Sequence, residues 1–286
     1  MTELDVEHLR SWIGNQETLH DQVTRFPIAA LSATLDRDDP LPEAGDALPP
    51  LWHWLYFLPV ARQSILGPDG HPARGGFLPP VPLPRRMWAG GRFVFHRPLR
   101  VDQPITRVST VSDVTIKRGR NGALCFVLVK HAVSDPDGLA LEEEHDIVYR
   151  DNPPANEAPP AGKPVRTDDV WKREIVPSDP LLFRYSALTF NSHRIHYDRR
   201  YVTEVEGYPG LIVHGPLIAT LLMDLLRRNT DRAVKTFRFR AVSPLFDIAP
   251  FSVHGLPQGD KAEGDKAVLW ARNPSGHLAM EAEAGL

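Results

Sequence analysis

The densest group of reactive side chains in the sequence lies between residues 185 and 216. Residues 185–198 read Tyr-Ser-Ala-Leu-Thr-Phe-Asn-Ser-His-Arg-Ile-His-Tyr-Asp, and residues 207–216 read Gly-Tyr-Pro-Gly-Leu-Ile-Val-His-Gly-Pro. Hydrophobic residues interrupt both segments and would bury part of them. Because imidazole titrates near neutral pH, a partly buried histidine is a natural proton carrier. The three histidines of this region, His193, His196 and His214, therefore indicate acid–base chemistry.

The second of these segments also predicts a site that stabilises negative charge. His214-Gly215-Pro216 is typical of the start of a helix, with Pro216 in the first turn, where its missing N–H costs nothing. The amide of Gly215 would then stand at the positive end of the helix and could donate a hydrogen bond to a developing enolate oxygen. Since glycine has no side chain, a carbonyl group could approach this amide closely.

The elements that would position these residues are an apolar helix and a series of antiparallel strands. Residues 216–226 predict a helix that is apolar on nearly all sides and must therefore be surrounded by other elements. A second, amphipathic helix is expected from Val6 to about Val23. Turn sequences at 117–122, 135–138 and 273–276 join neighbouring strands as hairpins. The predicted strands are 105–116, 124–133 and 139–149, followed by 233–242, 251–255, 267–271 and 278–282.

A proline-rich segment, residues 152–164, divides the sequence into two parts that are each large enough for a domain. It reads Asn-Pro-Pro-Ala-Asn-Glu-Ala-Pro-Pro-Ala-Gly-Lys-Pro and predicts a semi-extended linker between residues 1–151 and 165–286. The tripeptide Ala-Leu-Ser at 30–32 resembles Ala-Leu-Thr at 187–189, which suggests a duplication. A long helix wrapped by an antiparallel sheet fits the pattern, although the periodicity alone also permits another α+β fold.

Composition restricts the classes of function that remain. A formal net charge of -3 argues against a nucleic-acid-binding protein, which would normally be basic. No apolar stretch approaches the ~20 residues needed to cross a bilayer, so no membrane association is expected. The acidic N-terminal residues differ from a secretory or mitochondrial leader, and a cytoplasmic location is expected. Cys125, the single cysteine, lies in an apolar run and is interpreted as a small core residue.

Residues 185–198 resemble the signature of the MaoC-like, R-specific enoyl-CoA hydratases and dehydratases. That signature has a tyrosine, a stretch of small residues, then Asp-x-Asn-Pro-Ile-His with an aspartate two positions later. In this sequence His196 occupies the position of the catalytic histidine, and Ile195 and Asp198 also match. Residues 210–215 resemble the second motif of the family, which ends in His-Gly at the start of the central helix.

The sequence departs from this signature where the family usually has its catalytic aspartate. Asn191 stands there, five residues before the histidine, and His193 and Arg194 replace the Asn-Pro pair. An amide cannot act as a general base, so the activation of water must fall mainly to His196. Asn191 could still orient that water or hold the thioester, or it could simply shape a turn.

Residues 188–198 resemble one branch of the family in particular. That branch contains the type 2 3-hydroxyacyl-thioester dehydratases and the bacterial hydratases of mesaconyl-C4-CoA and itaconyl-CoA, and residues 52–59 and 75–91 resemble its N-terminal region. The resemblance implies an α+β tandem (double) hotdog fold, in which two antiparallel sheets each wrap around a long central helix. The N-terminal half would contact the acyl group, and the active cleft would lie between the halves.

The activity implied by the resemblance is the reversible addition of water to the double bond of an enoyl-CoA. The expected substrate is a C5 dicarboxylic thioester, itaconyl-CoA or mesaconyl-C4-CoA, hydrated to citramalyl-CoA. A fatty 3-hydroxyacyl-thioester dehydratase is the alternative within this class, and a hotdog thioesterase or a non-catalytic acyl-CoA-binding subunit is the alternative outside it. Coenzyme A is part of the substrate, so no cofactor is expected, and the fused chain could form a homodimer.

The residues expected to act in catalysis are His196, Asn191 and the backbone amide of Gly215. An ordinary core histidine is the alternative interpretation of His196. The three histidines could also bind zinc, but no carboxylate or cysteine stands at a supporting spacing, and no metal is expected. The expected substrate-binding residues are Tyr185, His193, His214, Arg85, Arg86, Arg238 and Arg240.

The four arginines stand in sequence contexts that suit contacts to an anion. Arg85 and Arg86 lie between a rigid proline-rich approach and a glycine-rich exit, which suits a fixed contact to a phosphate or carboxylate. Arg238 and Arg240 alternate with Phe237 and Phe239, so a strand would place both arginines on one face. The alternatives are a solvated charged surface for the first pair and a half-exposed strand for the second.

Overall fold

The computed structural model describes residues 4–72, 74–119, 122–152, 162–259 and 266–286, and within them one large antiparallel sheet and four α-helices. The strands are β1 (Gln16–Gln22), β2 (Arg85–Phe95), β3 (Pro104–Gly119), β4 (Gly122–Asp135), β5 (Gly138–Arg150), β6 (Trp171–Ile175), β7 (Thr236–Ala241), β8 (Phe251–Gln258), β9 (Lys266–Arg272) and β10 (Leu278–Gly285). The helices are α1 (Val6–Arg10), α2 (Arg25–Thr34), α3 (Asp179–Leu188) and α4 (Gly215–Arg227). These elements confirm the predicted strands and the predicted apolar helix.

The order of the strands in the sheet repeats one plan twice. The order is β1-β3-β4-β5-β2-β7-β10-β9-β8-β6, so each half of the sheet is arranged first-third-fourth-fifth-second, and the two halves meet where β2 pairs with β7. The hairpin between β4 and β5 turns through residues 135–138, and Gly138 takes a φ of 107° that favours glycine. Repetition of the strand order is the arrangement that a duplicated chain would produce.

Helix α4 is the central helix of the C-terminal half. It packs against β6, β8, β9 and β10, and all ten residues from 217 to 226 are buried, as an apolar helix requires. The one carboxylate among them, Asp224, is bound by Arg37, Arg173 and Arg228 at 2.7–2.8 Å. Because Arg37 comes from the N-terminal half, these ion pairs also join the two halves of the chain.

The N-terminal half lacks an equivalent helix in the part of the chain described. Between α2 and β2, where the repeat would place it, there are only short 3₁₀ turns at Trp52–Leu55 and Gln63–Ile65. The expectation of a long central helix in each half is therefore wrong for this half. The reason is covalent, since proline cannot continue a helix. Between α2 and β2, prolines occur at positions 40, 42, 49, 50, 59, 68, 72, 79, 80, 82 and 84.

The predicted N-terminal helix is also shorter than expected. Helix α1 ends at Arg10, and Gln16–Gln22 forms β1, an edge strand that pairs with β3 along its length. Gly14 separates them, with a φ of 90° that a helix does not contain. Along β1, exposed and half-buried side chains alternate, so the two-residue period of a strand prevailed over the helical spacing.

The described residues bear on several further predictions. Cys125 is fully buried, which agrees with its interpretation as a small core residue. No helix in the described segments has the length and apolar character needed to cross a bilayer. Residues 153–161, most of the proposed linker, and residues 120–121 of one predicted turn lie outside the described residues. The domain boundaries at residues 151 and 165 stay a prediction.

Candidate active site

His196 has one ring nitrogen held by the backbone, and the other has no hydrogen-bond partner among the described residues. It ends a 3₁₀ turn, Arg194–His196, and its Nδ1 lies 2.7 Å from the carbonyl oxygen of Ile212. A carbonyl oxygen only accepts, so Nδ1 carries the proton and donates it, which leaves the lone pair on Nε2. Burial lowers the pKa of His196 to about 4, against the weaker opposing effect of the Ile212 hydrogen bond. His196 is therefore neutral at pH 7 and basic at Nε2.

His214 fixes the plane of the His196 ring. The two imidazoles are stacked with their centroids 3.7 Å apart and their planes 19° apart. His214 is held in turn by Ser186, whose Oγ lies 2.8 Å from Nε2, and by the edge of the buried Tyr185 ring. Burial, with the neighbouring histidines, keeps the pKa of His214 well below its usual range, so the stack joins two neutral rings. Tyr185 and His214 thus support His196 from behind.

Asn191 is part of the turn that presents the histidines. Its side-chain oxygen accepts a hydrogen bond from the backbone N–H of His193 at 3.0 Å, and its own N–H donates to the carbonyl oxygen of Ser186 at 2.8 Å. The side-chain NH₂ of Asn191 has no hydrogen-bond acceptor among the described residues. Asn191 therefore shapes the turn, and its side-chain NH₂ remains available to a water or a carbonyl group.

The amide of Gly215 begins α4 at the interface between the two halves of the chain. Its N–H has no acceptor in the described part of the protein, and it stands at the positive end of a 13-residue helix. A methyl group added to Gly215 would meet only the carbonyl oxygen of Trp88, at 4.0 Å. Trp88 belongs to β2, so the space beside the Cα of Gly215 is open and is bordered by the N-terminal half.

The N-terminal half also contributes two residues that the sequence analysis missed, Asp69 and His71. The backbone N–H of Arg194 donates to the carbonyl oxygen of Asp69 at 2.9 Å, and Ser192 Oγ donates to that of Gly70 at 2.6 Å. Gly70 has a φ of 86°, and a Cβ there would lie 1.9 Å from the carbonyl oxygen of Ser192. Only glycine permits this approach, which is how the loop docks onto the histidine turn.

Asp69 and His71 form a hydrogen-bonded pair beside His193. Asp69 Oδ2 lies 3.1 Å from His71 Nδ1, and the ring centroids of His71 and His193 are 4.0 Å apart. The ring of His193 is in turn 5.5 Å from that of His196. Burial lowers the pKa of His193 to about 2, with a smaller contribution from His71. An Asp-x-His pair inside the turn sequence Gly-Pro-Asp-Gly-His-Pro was the signal available in the sequence.

The family of the chain follows from its similarity to known proteins. A family model for hydroxyacyl-thioester dehydratase type 2 matches residues 51–247. The mesaconyl-C(4)-CoA hydratase of Chloroflexus aurantiacus is 48% identical over 276 residues, which cover 96% of this chain and 97% of that protein. The chain belongs to the hydroxyacyl-thioester dehydratase type 2 family. The mitochondrial hydroxyacyl-thioester dehydratase type 2 of Schizosaccharomyces pombe is 28% identical across 82% of this chain and 88% of its own length.

Solved structures confirm the fold of this type 2 dehydratase family member. A MaoC-like dehydratase superposes with a TM-score of 0.74 at 15% identity, covering 96% of this chain and 98% of its own. A Mycobacterium tuberculosis protein described as having a double hotdog fold superposes with a TM-score of 0.59 at 13% identity, over 96% and 95% of the two chains. The fold is the double hotdog, and the protein is an enzyme of the hydratase and dehydratase class.

Of the arginines considered for this family member, Arg86 is the one that interacts with the histidine cluster. It lies opposite Tyr149 across β2 and β5, and its positive charge contributes to lowering the pKa of both His71 and His193, after the larger effect of burial. Arg85 points elsewhere and is bound by the protein itself. Its guanidinium donates to the side chains of Asn152 and Tyr208 and to the carbonyl oxygen of Glu206.

Arg238 and Arg240 do not approach the histidine cluster. Phe237 and Phe239 are buried in the same core as α4, and the two arginines project from the other face of β7, where 66% and 62% of their side chains are exposed. Each forms an ion pair there with a glutamate of β10. The half-exposed strand considered for this segment is what the structure contains, because the side chains of a strand alternate between its faces.

An open cavity lies beside the docked loop. This cavity of 330 Å³ lies between residues 63–70 of the N-terminal half and Ser192, Arg194 and Tyr197 of the histidine turn. Asp69, His71 and His193 have polar atoms within 4.8 Å of one another, a spacing that would also suit a metal ion. The carboxylate of Asp69 is already hydrogen-bonded to His71, and we assign no metal to this group.

Proposed function

We propose that this protein catalyses the reversible addition of water across the double bond of an enoyl-CoA thioester. One observation carries the proposal. His196 is neutral, presents a basic Nε2, and belongs to the same site as the free amide of Gly215 at the start of α4. A base for water and a donor for a carbonyl oxygen are the two groups that this addition needs.

The reaction follows from these two groups. The thioester carbonyl oxygen accepts a hydrogen bond from Gly215, and water lies against Nε2 of His196. As the oxygen of water bonds to the β-carbon, its O–H bond breaks and the proton moves to Nε2. The electrons of the double bond pass toward the carbonyl, which becomes enolate-like and is stabilised by the amide and the helix dipole. The proton is then delivered to the α-carbon, and the reverse sequence is dehydration.

The other expected site residues act on His196 or on the substrate. His214 and Tyr185 hold the imidazole plane, and the side-chain NH₂ of Asn191 orients the water. No metal is required, because the thioester carbonyl already acidifies the α-carbon. Coenzyme A enters with the substrate and leaves with the product.

We infer that the acyl group is a C5 dicarboxylic unit, itaconyl or mesaconyl, hydrated to citramalyl-CoA. Arg86 and four imidazoles give the site a polar character, and a guanidinium is the usual partner of a carboxylate. The relative at 48% identity is named a mesaconyl-C(4)-CoA hydratase. A fatty 3-hydroxyacyl thioester is the second candidate, because the Schizosaccharomyces pombe relative is named a hydroxyacyl-thioester dehydratase. A cytoplasmic location and a homodimer stay predictions.

Mass spectrometry of acyl-CoA mixtures tests both the reaction and the acyl group. The substrates are itaconyl-CoA, mesaconyl-C4-CoA, crotonyl-CoA and a long-chain enoyl-CoA, incubated with wild-type protein or with His196→Ala. The expected result is addition of one water to the C5 thioesters, lost in the variant and retained in His20→Ala, which alters an exposed histidine of the edge strand β1. Preference for the long chain would select the fatty substrate. Release of free coenzyme A without hydration would make the protein a thioesterase.

A further inference from the structure

The proposed reaction leaves a positive charge without a carboxylate beside it. When His196 takes a proton, its Nδ1–H bonds only to the neutral carbonyl oxygen of Ile212. Asn191 cannot accept the proton. Asp198 is near in sequence, but its Oδ2 is bound by the guanidinium of Arg194 and its Oδ1 by the N–H of Tyr201. A buried imidazolium formed here needs an anion from elsewhere in the chain.

Asp69 is the carboxylate that the fold brings to the cluster. The loop that carries it is fixed to the histidine turn at three points: Arg194 N–H to the Asp69 carbonyl, Ser192 Oγ to the Gly70 carbonyl, and Arg194 Nη1 to the Pro68 carbonyl at 2.9 Å. These contacts use the backbone of the loop and leave the side chain of Asp69 to His71.

Both carboxylate oxygens of Asp69 form hydrogen bonds with the same residue, His71. Its Oδ1 accepts the backbone N–H of His71 at 3.0 Å, and its Oδ2 lies 3.1 Å from Nδ1 of the same residue. Burial opposes the ionisation of Asp69, but these hydrogen bonds outweigh it and hold its pKa below the ordinary range. A charged carboxylate bound to Nδ1–H stabilises the protonated ring of His71 and leaves Nε2 to receive a proton.

The rings of His71, His193 and His196 form a continuous series. Polar ring atoms of His71 and His193 lie within 4.8 Å of each other, a distance that one water molecule can bridge. His193 and His196 meet edge to face, with centroids 5.5 Å apart. His71 is the member of the series with a carboxylate, so a proton shared along it rests at the end held by Asp69.

The charged groups around His71 support this assignment. Burial is the largest effect on the pKa of His71 and lowers it. The hydrogen bond that His71 donates to Asp69 opposes the lowering, and Arg86 and Arg74 add smaller lowering effects. Arg74 is bound by three backbone carbonyls of residues 81–84, and Arg86 lies against Tyr149, so both cations are fixed beside the loop. Among the described residues that affect the pKa of His71, Asp69 is thus the group that opposes burial.

We propose that Asp69 and His71 perform the proton-handling role of the carboxylate missing at position 191. In hydration the O–H bond of water breaks as the C–O bond forms at the β-carbon. The proton passes from His196 through His193 to Nε2 of His71, where Asp69 stabilises the charge, and returns along the same rings to form the C–H bond at the α-carbon. No proton is gained or lost over a turnover, and Asp69 stays ionised throughout.

The inference rests on the proposed function, and the pH dependence of hydration by Asp69→Asn tests it. Asparagine keeps the shape of the loop and an oxygen for the backbone N–H of His71, but it removes the charge. We expect kcat to fall about 10- to 100-fold with little change in KM. The acidic limb of the pH profile moves to lower pH, because His71 loses the group that raises its pKa. His71→Ala and His193→Phe should lower kcat by about 100-fold or more.

Asp168→Asn is the matched control, since Asp168 is an exposed carboxylate paired with Arg166 on the surface. Histidine NMR titration of wild type and Asp69→Asn gives a readout that does not depend on turnover. The expected result is a lower pKa for His71 in the variant. The inference is overturned if Asp69→Asn keeps wild-type kcat and pH profile, or if only KM rises. If the wild-type protein hydrates no enoyl-CoA, the proposed function is wrong. That result differs from one in which wild-type protein is active and Asp69→Asn is equally active, which contradicts only the role of Asp69.

Discussion

The free amide at the start of α4 allows a test that separates folding from catalysis. In Gly215→Ala the added methyl meets nothing closer than the Trp88 carbonyl oxygen at 4.0 Å, which is an ordinary contact. The folded protein should therefore accept it, and alanine is also the better helix former, by about 0.5–1 kcal/mol. The free energy of unfolding should stay within about 1 kcal/mol of wild type.

Activity should respond in the opposite direction. The same methyl would narrow the open space beside the amide that a thioester carbonyl needs for close approach. Loss of one oxyanion donor costs about 100- to 1000-fold in kcat, or about 3–4 kcal/mol of transition-state stabilisation. The measurements are kcat for hydration of the preferred enoyl-CoA and unfolding in urea, carried out on the same preparation.

The matched control is Gly76→Ala, because a Cβ at Gly76 also meets nothing within 4 Å and its φ is not positive. It should change neither stability nor turnover. Hydration by Gly215→Ala within about threefold of wild type would refute the assignment of this amide as the carbonyl donor. A variant that failed to fold would refute the claim that the space before the amide is open.

Three further outcomes follow from the structure. Asp224→Asn should lower the free energy of unfolding by about 3–5 kcal/mol, measured in urea, because three arginines lose their shared buried counter-charge. Arg86→Met should raise KM for mesaconyl-C4-CoA at least about tenfold and leave KM for crotonyl-CoA unchanged, because only the first substrate has a carboxylate to bind. His196 has a pKa of about 4 in the folded protein and 6.5 in the unfolded chain, so the unfolded chain binds the proton more readily. The free energy of unfolding should therefore fall as the pH falls from 6.5 towards 4, and urea unfolding at several pH values measures it. A flat stability profile over this range would contradict the neutral, buried state of His196.

Much of the fold could be predicted because its signals are local. The hairpin at residues 135–138 is specified by its own turn residues, and α4 by an uninterrupted apolar run that begins with Gly215 and Pro216. The prediction of a helix up to about Val23 was wrong, because helical spacing and the two-residue spacing of a strand compete within this short segment. Residues 6–23 place Leu9, Trp12, Ile13 and Leu19 near helical spacing and so suggest one continuous helix. Pairing with β3 makes residues 16–22 a strand instead.

The residues of the candidate site could likewise be predicted only in part. His196, Asn191 and His214 could be predicted as a group because they lie in two short segments of sequence, and their roles in catalysis stay predictions. Arg238 and Arg240 were correctly placed on one face of a strand, but the sequence did not say that this face points away from α4. Strand periodicity defines two faces, and only packing decides which one is buried.

The sequence by itself therefore determined the central helix, the hairpins and the histidine turn. Only the tertiary structure brought Asp69 and His71 to His193, across more than a hundred residues of sequence. Contacts of that separation depend on how the two halves of the chain pack and on a glycine, Gly70, that allows two backbones to meet. Local propensity cannot predict this contact, because the hydrogen bonds that stabilise it form only when both segments are already in place.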